Sequence, residues 1–113
     1  MALQHSMLIG ESVKTFDLTT PANPLTGVIF ACPARAVSLV WQFFFTTNPT
    51  AITVNLEASE DRIHWDPIDS STLVTGEVRT FAGLGVKFVR GSISALTLGP
   101  GEELTMMITP RAY

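Results

Sequence analysis

Between Ala51 and Ala58 the chain alternates with a period of two. Ile52, Val54, Leu56 and Ala58 are apolar, and Thr53, Asn55 and Glu57 between them are polar. Successive side chains of a strand point to opposite faces, so this pattern predicts a half-buried strand. Ser59, Glu60 and Asp61 break the alternation, and His64, Trp65, Pro67 and Ile68 follow. The stretch reads as a strand, a polar turn and a returning strand over residues 63–68 that carries a tryptophan.

The rest of the chain repeats this design. Val13, Phe16 and Leu18 alternate with Lys14, Thr15 and Asp17, which predicts a first strand. Pro21 and Pro24 remove backbone donors and make residues 19–24 a loop. Residues 26–32 read as a strand bounded by Pro33. Residues 35–47 are the most apolar stretch: Val37, Leu39, Trp41, Phe43 and Phe45 share one face, and Ala36, Ser38, Val40, Gln42 and Phe44 share the other. A helix competes here, but the β-branched and aromatic content favours a strand. A strand apolar on both faces is covered twice or packs against another chain. Residues 69–75 read as a polar connection. Residues 76–82, 86–96 and 103–109 supply three more strands, with turns at Gly83-Leu84-Gly85 and Gly99-Pro100-Gly101. Seven to eight strands with short turns predict an all-β, antiparallel β-sandwich of jelly-roll or immunoglobulin-like type, with a closed barrel as the alternative. Residues 1–12 form an N-terminal arm or short strand, and residues 13–113 a single sandwich domain.

Composition narrows the function classes. At 113 residues the chain suits one domain with a core that needs no staples. Cys32 is the only cysteine, so no internal disulfide forms, and it reads as a small buried hydrophobe suited to a reducing cytoplasm. A net charge of -3 argues against nucleic-acid binding. No run reaches the ~18 apolar residues of a membrane span, and residues 1–14 lack the pattern of a secretory signal. Only 15% of residues are charged while 46% are hydrophobic, which points to surface covered by partners or by copies of the chain itself.

Reactive chemistry is hard to find. His64 lies near Glu60, Asp61, Asp66 and Asp69, but these read as a solvated turn without the alternating oxygen ligands of a calcium loop. Glu60-Asp61 and Glu102-Glu103 are neighbours on turns and cannot converge across a cleft as catalytic pairs do. No nucleophile elbow, phosphate loop or Cys–His pair is present. The expectation is a protein that is not an enzyme and uses no metal or cofactor. Trp41 reads as core. Trp65, beside the turn, reads first as packing across the hairpin, and is the better of the two as an alternative sugar-stacking platform. Arg90, a charge within a strand, needs solvent, an acidic partner or an interface.

Leu56, Glu57, Ser59, Asp61 and Trp65, followed by Phe88, Val89 and Arg90, resemble a pattern in small virion proteins of tailed bacteriophages and prophages. That pattern has a strand ending in Leu-Glu-x-Ser, an Asp-containing turn, a Trp four residues after the Asp, then a strand with an aromatic-Val/Ile-Arg core and a closing Leu-containing strand. The hairpin portion also looks like that of discoidin-type, galactose-binding-like sandwiches, which use it as scaffold. The usual Asp-Gly of the turn is Asp61-Arg62 here, without the glycine suited to positive φ.

The phage resemblance implies a structural virion protein assembled in the host bacterial cytoplasm. A capsid decoration or cement protein bridging subunits of the major capsid protein is the leading form, and a tail accessory protein the alternative. Decoration proteins of this size are often trimers, so a homo-oligomer is expected. Interface candidates are Met7, Leu8 and Ile9 in the arm, Pro21 and Pro24 in the loop, Val40 and Phe44 on the outer face of the Trp41 strand, and Arg90. A carbohydrate-binding module using Trp65 is the rival from another class.

Overall fold

A computed structural model of the chain describes residues 5–18, 25–33, 35–45, 49–82, 87–97 and 104–112. Within them run β1 (His5–Ser6), β2 (Val13–Leu18), β3 (Leu25–Thr26), β4 (Phe30–Ala31), β5 (Ser38–Phe45), β6 (Ala51–Ser59), β7 (Asp66–Ser71), β8 (Glu77–Ala82), β9 (Phe88–Thr97) and β10 (Leu104–Arg111). β1, β3 and β4 have only two residues each; the others are the seven long strands that periodicity predicts. One sheet has the order β1-β4-β9-β6-β7, with β3 also on β9, and the other has the order β2-β10-β5-β8. All pairings are antiparallel except β1 with β4. The protein is an all-β sandwich.

The core follows from alternation. Ile52, Val54, Leu56 and Ala58 of β6 are buried with Val89 and Ile93 of β9, and Leu39, Trp41 and Phe43 of β5 with Leu104, Met106 and Ile108 of β10. Burying each large apolar side chain stabilises the fold by roughly 1.5–3 kcal/mol. Trp41 and Phe43, two apart on one face, stack with ring centroids 5.9 Å apart, and Phe45 meets Phe43 edge-on at 6.0 Å. β5 is a strand and not a helix: it pairs along its whole length with β10 and over Ser38–Phe43 with β8. Pro110 is tolerated in the central strand β10 because its carbonyl faces Gly10, whose N–H it accepts at 2.8 Å. A strand residue's nitrogen and carbonyl point the same way, so the missing donor falls on the β2 side at a level where β2 has not yet begun.

Four expectations are corrected. Residues 26–32 are not one strand: the Gly27 N–H goes to Gly91 O at 2.8 Å and the Val28 N–H to Thr15 O at 2.7 Å, so the segment leaves the β9 ladder for β2 and returns as β4. Thr15, read with the polar face of β2, is fully buried. The register slips at this point of the β2–β10 pair, and the Thr15 hydroxyl donates to Val28 O at 3.1 Å and accepts the Gly91 N–H at 2.9 Å. Residues 69–71, read as a connection, complete β7. Met7, read as an arm residue free for a partner, is 3% exposed and belongs to the core, its N–H donated to Ala31 O at 3.3 Å. Residues 5–10 lie on the domain: β1 pairs with β4, and Gly10 is tied to Pro110.

β7 ends one sheet and β8 ends the other, so the chain crosses between layers through residues 72–76. Gly76 takes φ +83°, and a Cβ there would lie 2.6 Å from the Phe43 carbonyl oxygen.

Candidate functional site

The outward face of the first sheet is polar and internally satisfied. Register sets Asn55 opposite Ser92, Glu57 opposite Arg90, and Ser59 opposite Phe88. The Asn55 amide donates to Ser92 Oγ at 3.3 Å and Ser94 Oγ at 3.0 Å. Arg90 Nε donates to Glu57 Oε1 at 2.8 Å, with both side chains less than one-fifth exposed. The Arg90 guanidinium also lies over the Trp65 ring, 4.2 Å from its centroid. Arg90 therefore finds its acidic partner within the chain. One face of Trp65 is covered, leaving only the other for a sugar ring.

The β6–β7 turn is built around two side chains. Ser59 Oγ accepts the N–H groups of Asp61 (3.2 Å) and Arg62 (2.8 Å) and donates to Asp61 Oδ1 at 3.0 Å. Asp61 Oδ1 accepts the Ile63 and His64 N–H groups, each at 2.8 Å, and Oδ2 meets His64 Nδ1 at 2.6 Å. Arg62 takes φ 65°, the conformation a glycine would hold, and its guanidinium sits 5.4 Å from the Phe88 ring centroid. The hydrogen bonds from His64 and the Ile63 N–H hold the Asp61 carboxyl well below the usual carboxylate range. The same side-chain bond, then the charge of Asp61, raises the His64 pKa. Ala58, Ser59, Glu60, Asp61, His64, Asp66 and Ile68 line a depression of about 460 Å³. Among the described residues no group of three or more His, Cys, Asp or Glu is placed to hold a metal ion. Burial, with Glu60 adding to it, pushes the Cys32 thiol up to about 11, so it is not a poised nucleophile.

At the side of the sandwich a second polar group joins the sheets. Asp69 Oδ2 accepts Trp41 Nε1–H at 2.9 Å, and the Arg79 guanidinium donates to both Asp69 oxygens at 3.0 Å. Arg79 Nη1 also reaches both Glu77 oxygens at 3.3 Å, and Ser71 Oγ is hydrogen-bonded to Glu77 Oε1. Burial alone would raise the Asp69 pKa; the bonds from Arg79, Trp41 and the Ser70 N–H outweigh it and hold the carboxyl below its usual value.

The outward face of the second sheet is different. Phe44 is 41% exposed and Val78 60% exposed, and Val40 and Met107 are half-buried. Register places Val78 opposite Gln42 and therefore diagonal to Phe44, while Met107 lies across from Gln42 on the other side. Leu8 is 63% exposed and Ile9 39%, in the turn that leads to Gly10. Among the interface candidates, Val40 and Phe44 thus share this face, Leu8 and Ile9 lie beside the end of β10, and Arg90 belongs to the polar face. Pro21 and Pro24 lie outside the described residues. Sequence reasoning did not single out Val78, the apolar residue between Glu77 and Arg79. The signal lay in those two charges, which point sideways to Asp69 and Ser71 and leave Val78 to solvent.

No protein-family model matches the sequence, and no curated protein matches it. Among solved structures the fold is similar to the crystal structure of the SPBc2 prophage-derived protein YomS, with a TM-score of 0.57 and 15% sequence identity over 88% of this chain and 91% of that chain. At that identity the likeness is one of fold.

Proposed function

We propose that this protein is a non-enzymatic structural component of a tailed-bacteriophage particle, assembled in the host bacterial cytoplasm. In its most concrete form it is a capsid decoration protein that stabilises the head by bridging neighbouring subunits of the major capsid protein. The observation that carries this reading is the shared fold with a prophage-derived protein over nearly the whole of both chains. The exposed apolar residues Phe44 and Val78 on one sheet face, in a chain with few charges, support it as an assembling subunit. Many such weak contacts, repeated by particle symmetry, give tight binding without a deep pocket.

Mass spectrometry and electron cryo-microscopy of purified particles from a producing host test it. Density for this chain on the head surface at stoichiometric copy number supports the decoration role. Density in the tail moves the reading to a tail accessory protein, and absence from the particle ends it.

A further inference from the structure

The strands with a free side are β1, β3 and β7 in the first sheet, β2 and β8 in the second. An open edge presents unpaired N–H and C=O groups, and folded proteins block such edges with prolines, bulges, charges or covering chain. Every edge but one is blocked. β1 and β3 have only two residues each. β7 carries Pro67, two aspartates and a slipped register against β6. β2 is covered at its middle, where Thr15 takes the Val28 N–H on its carbonyl and the Gly91 N–H on its hydroxyl. β8 has neither proline nor covering chain among the described residues, and its two charges, Glu77 and Arg79, are taken up by Ser71 and Asp69 of β7 instead of standing out along the edge. It is six residues long and pairs with β5 without a register slip. Val78, Thr80 and Ala82 along it are exposed.

We propose that β8 is a docking edge for a second copy of this chain, which adds its own β8 antiparallel across a two-fold axis and joins two four-stranded sheets into one. The pattern of β8 is self-complementary. With both outer faces on the same side, pairing centred on Val78 sets Glu77 opposite the second copy's Arg79, twice, with the two Val78 side chains adjacent. This register sets no like charges directly opposite, which would oppose pairing, while Glu77 and Arg79 keep their bonds within each chain. The same pairing extends the exposed row of Phe44 and Val78 across the axis, so apolar surface is buried along with the edge. This deepens the reading of the chain as an assembling subunit, and rests on it only in expecting self-association.

The test uses the full chain. Sedimentation velocity over a dilution series is expected to show a reversible dimer. Hydrogen exchange is expected to show protection of residues 77–82 that rises with concentration, while residues 66–71 stay unchanged. Val78→Lys sets two like charges side by side at the axis and weakens association by about tenfold or more; Val78→Thr, which keeps β-propensity, is the control. Circular dichroism and a cooperative melting transition matching that of dilute wild type show that the Lys variant is folded. A chain that stays monomeric at every concentration, an association that Val78→Lys leaves intact, or protection that rises away from β8 overturns the inference. Particle binding is read separately: a β8 dimer that binds no particle sinks the virion reading alone, and particle binding by a strictly monomeric chain sinks the edge pairing alone.

Discussion

Arg79 on β8 holds Asp69 on β7 through two parallel hydrogen bonds, Nη2 to Oδ1 and Nε to Oδ2, each 3.0 Å long. The two strands belong to different sheets, so this pair clasps the layers at the side of the sandwich. Trp41 Nε1–H completes the group by donating to the same carboxylate from the core.

Asp69→Ala leaves the indole N–H of the fully buried Trp41 without its acceptor, and unfolding by urea is expected to show a loss of about 1–3 kcal/mol. Arg79 is 37% exposed, so solvent screens its share, and Arg79→Met is expected to cost less, about 1 kcal/mol or below. The Asp69 pKa is lowered in the folded chain. Its contribution is therefore present above the unfolded value of about 3.9 and is lost as pH falls through the folded value. Urea midpoints of wild type and Asp69→Asn should converge as the solution is acidified below about pH 4.

Thr15→Val keeps the shape of a fully buried side chain but removes the acceptor of the Gly91 N–H. A loss of about 1–3 kcal/mol is expected by equilibrium unfolding. Thr15→Ser keeps the hydroxyl and should cost less. A larger loss for Thr15→Ser than for Thr15→Val would mean that the methyl group, not the hydrogen bonds, holds this position.

Glu57 and Arg90 are directly opposed, mostly buried and bonded at 2.8 Å. A double-mutant cycle with Glu57→Gln and Arg90→Met is expected to give a coupling energy of about 1–2 kcal/mol, above the range for surface pairs. Trp65→Ala should lower that coupling, because the ring holds the guanidinium in place. A coupling near zero would show the pair to be solvated.

His64 titrates above its ordinary value because of Asp61. An NMR titration should place its midpoint above about 6.5, and Asp61→Asn should bring it back down. Any stability this raised pKa contributes is present below the unfolded value and is lost as pH rises through the folded one.

Removal of residues 1–12 takes away Met7 from the core, along with the Gly10 bond to Pro110. The truncated chain is expected to lose about 2–5 kcal/mol, the scale for emptying a large core position, and its melting transition should fall accordingly. A truncation that leaves the melting transition unchanged would return these residues to the role of a free arm.

Local alternation was enough to read β6 and β10 and the inward faces of β5 and β9, because each has one face that must leave water. It failed where a distant partner decides. Residues 26–32 look like a single strand, yet Gly27 and Val28 are drawn apart by acceptors on Gly91 and Thr15. Asp69 looks like loop, and becomes strand because Trp41 and Arg79 neutralise its burial cost. Arg62 stands where a glycine is expected, yet the turn forms on the bonds of Ser59 and Asp61. The candidate surface was half legible. Phe44 and Val40 stood out as apolar residues on the second face of β5, whereas Val78 needed the register of β8 to be seen beside them.

Gly76 leaves no clearance at the passage from one layer to the next. Any side chain there must push against the Phe43 carbonyl, which sits on a backbone already fixed by two neighbours. The strain would spread outward, prising β8 from β5 and stretching the reach of Arg79 toward its carboxylate. One atom's width at a single residue thus sets how closely the start of β8 can lie beside β5, and a side chain at this step of the crossover is closed to this chain.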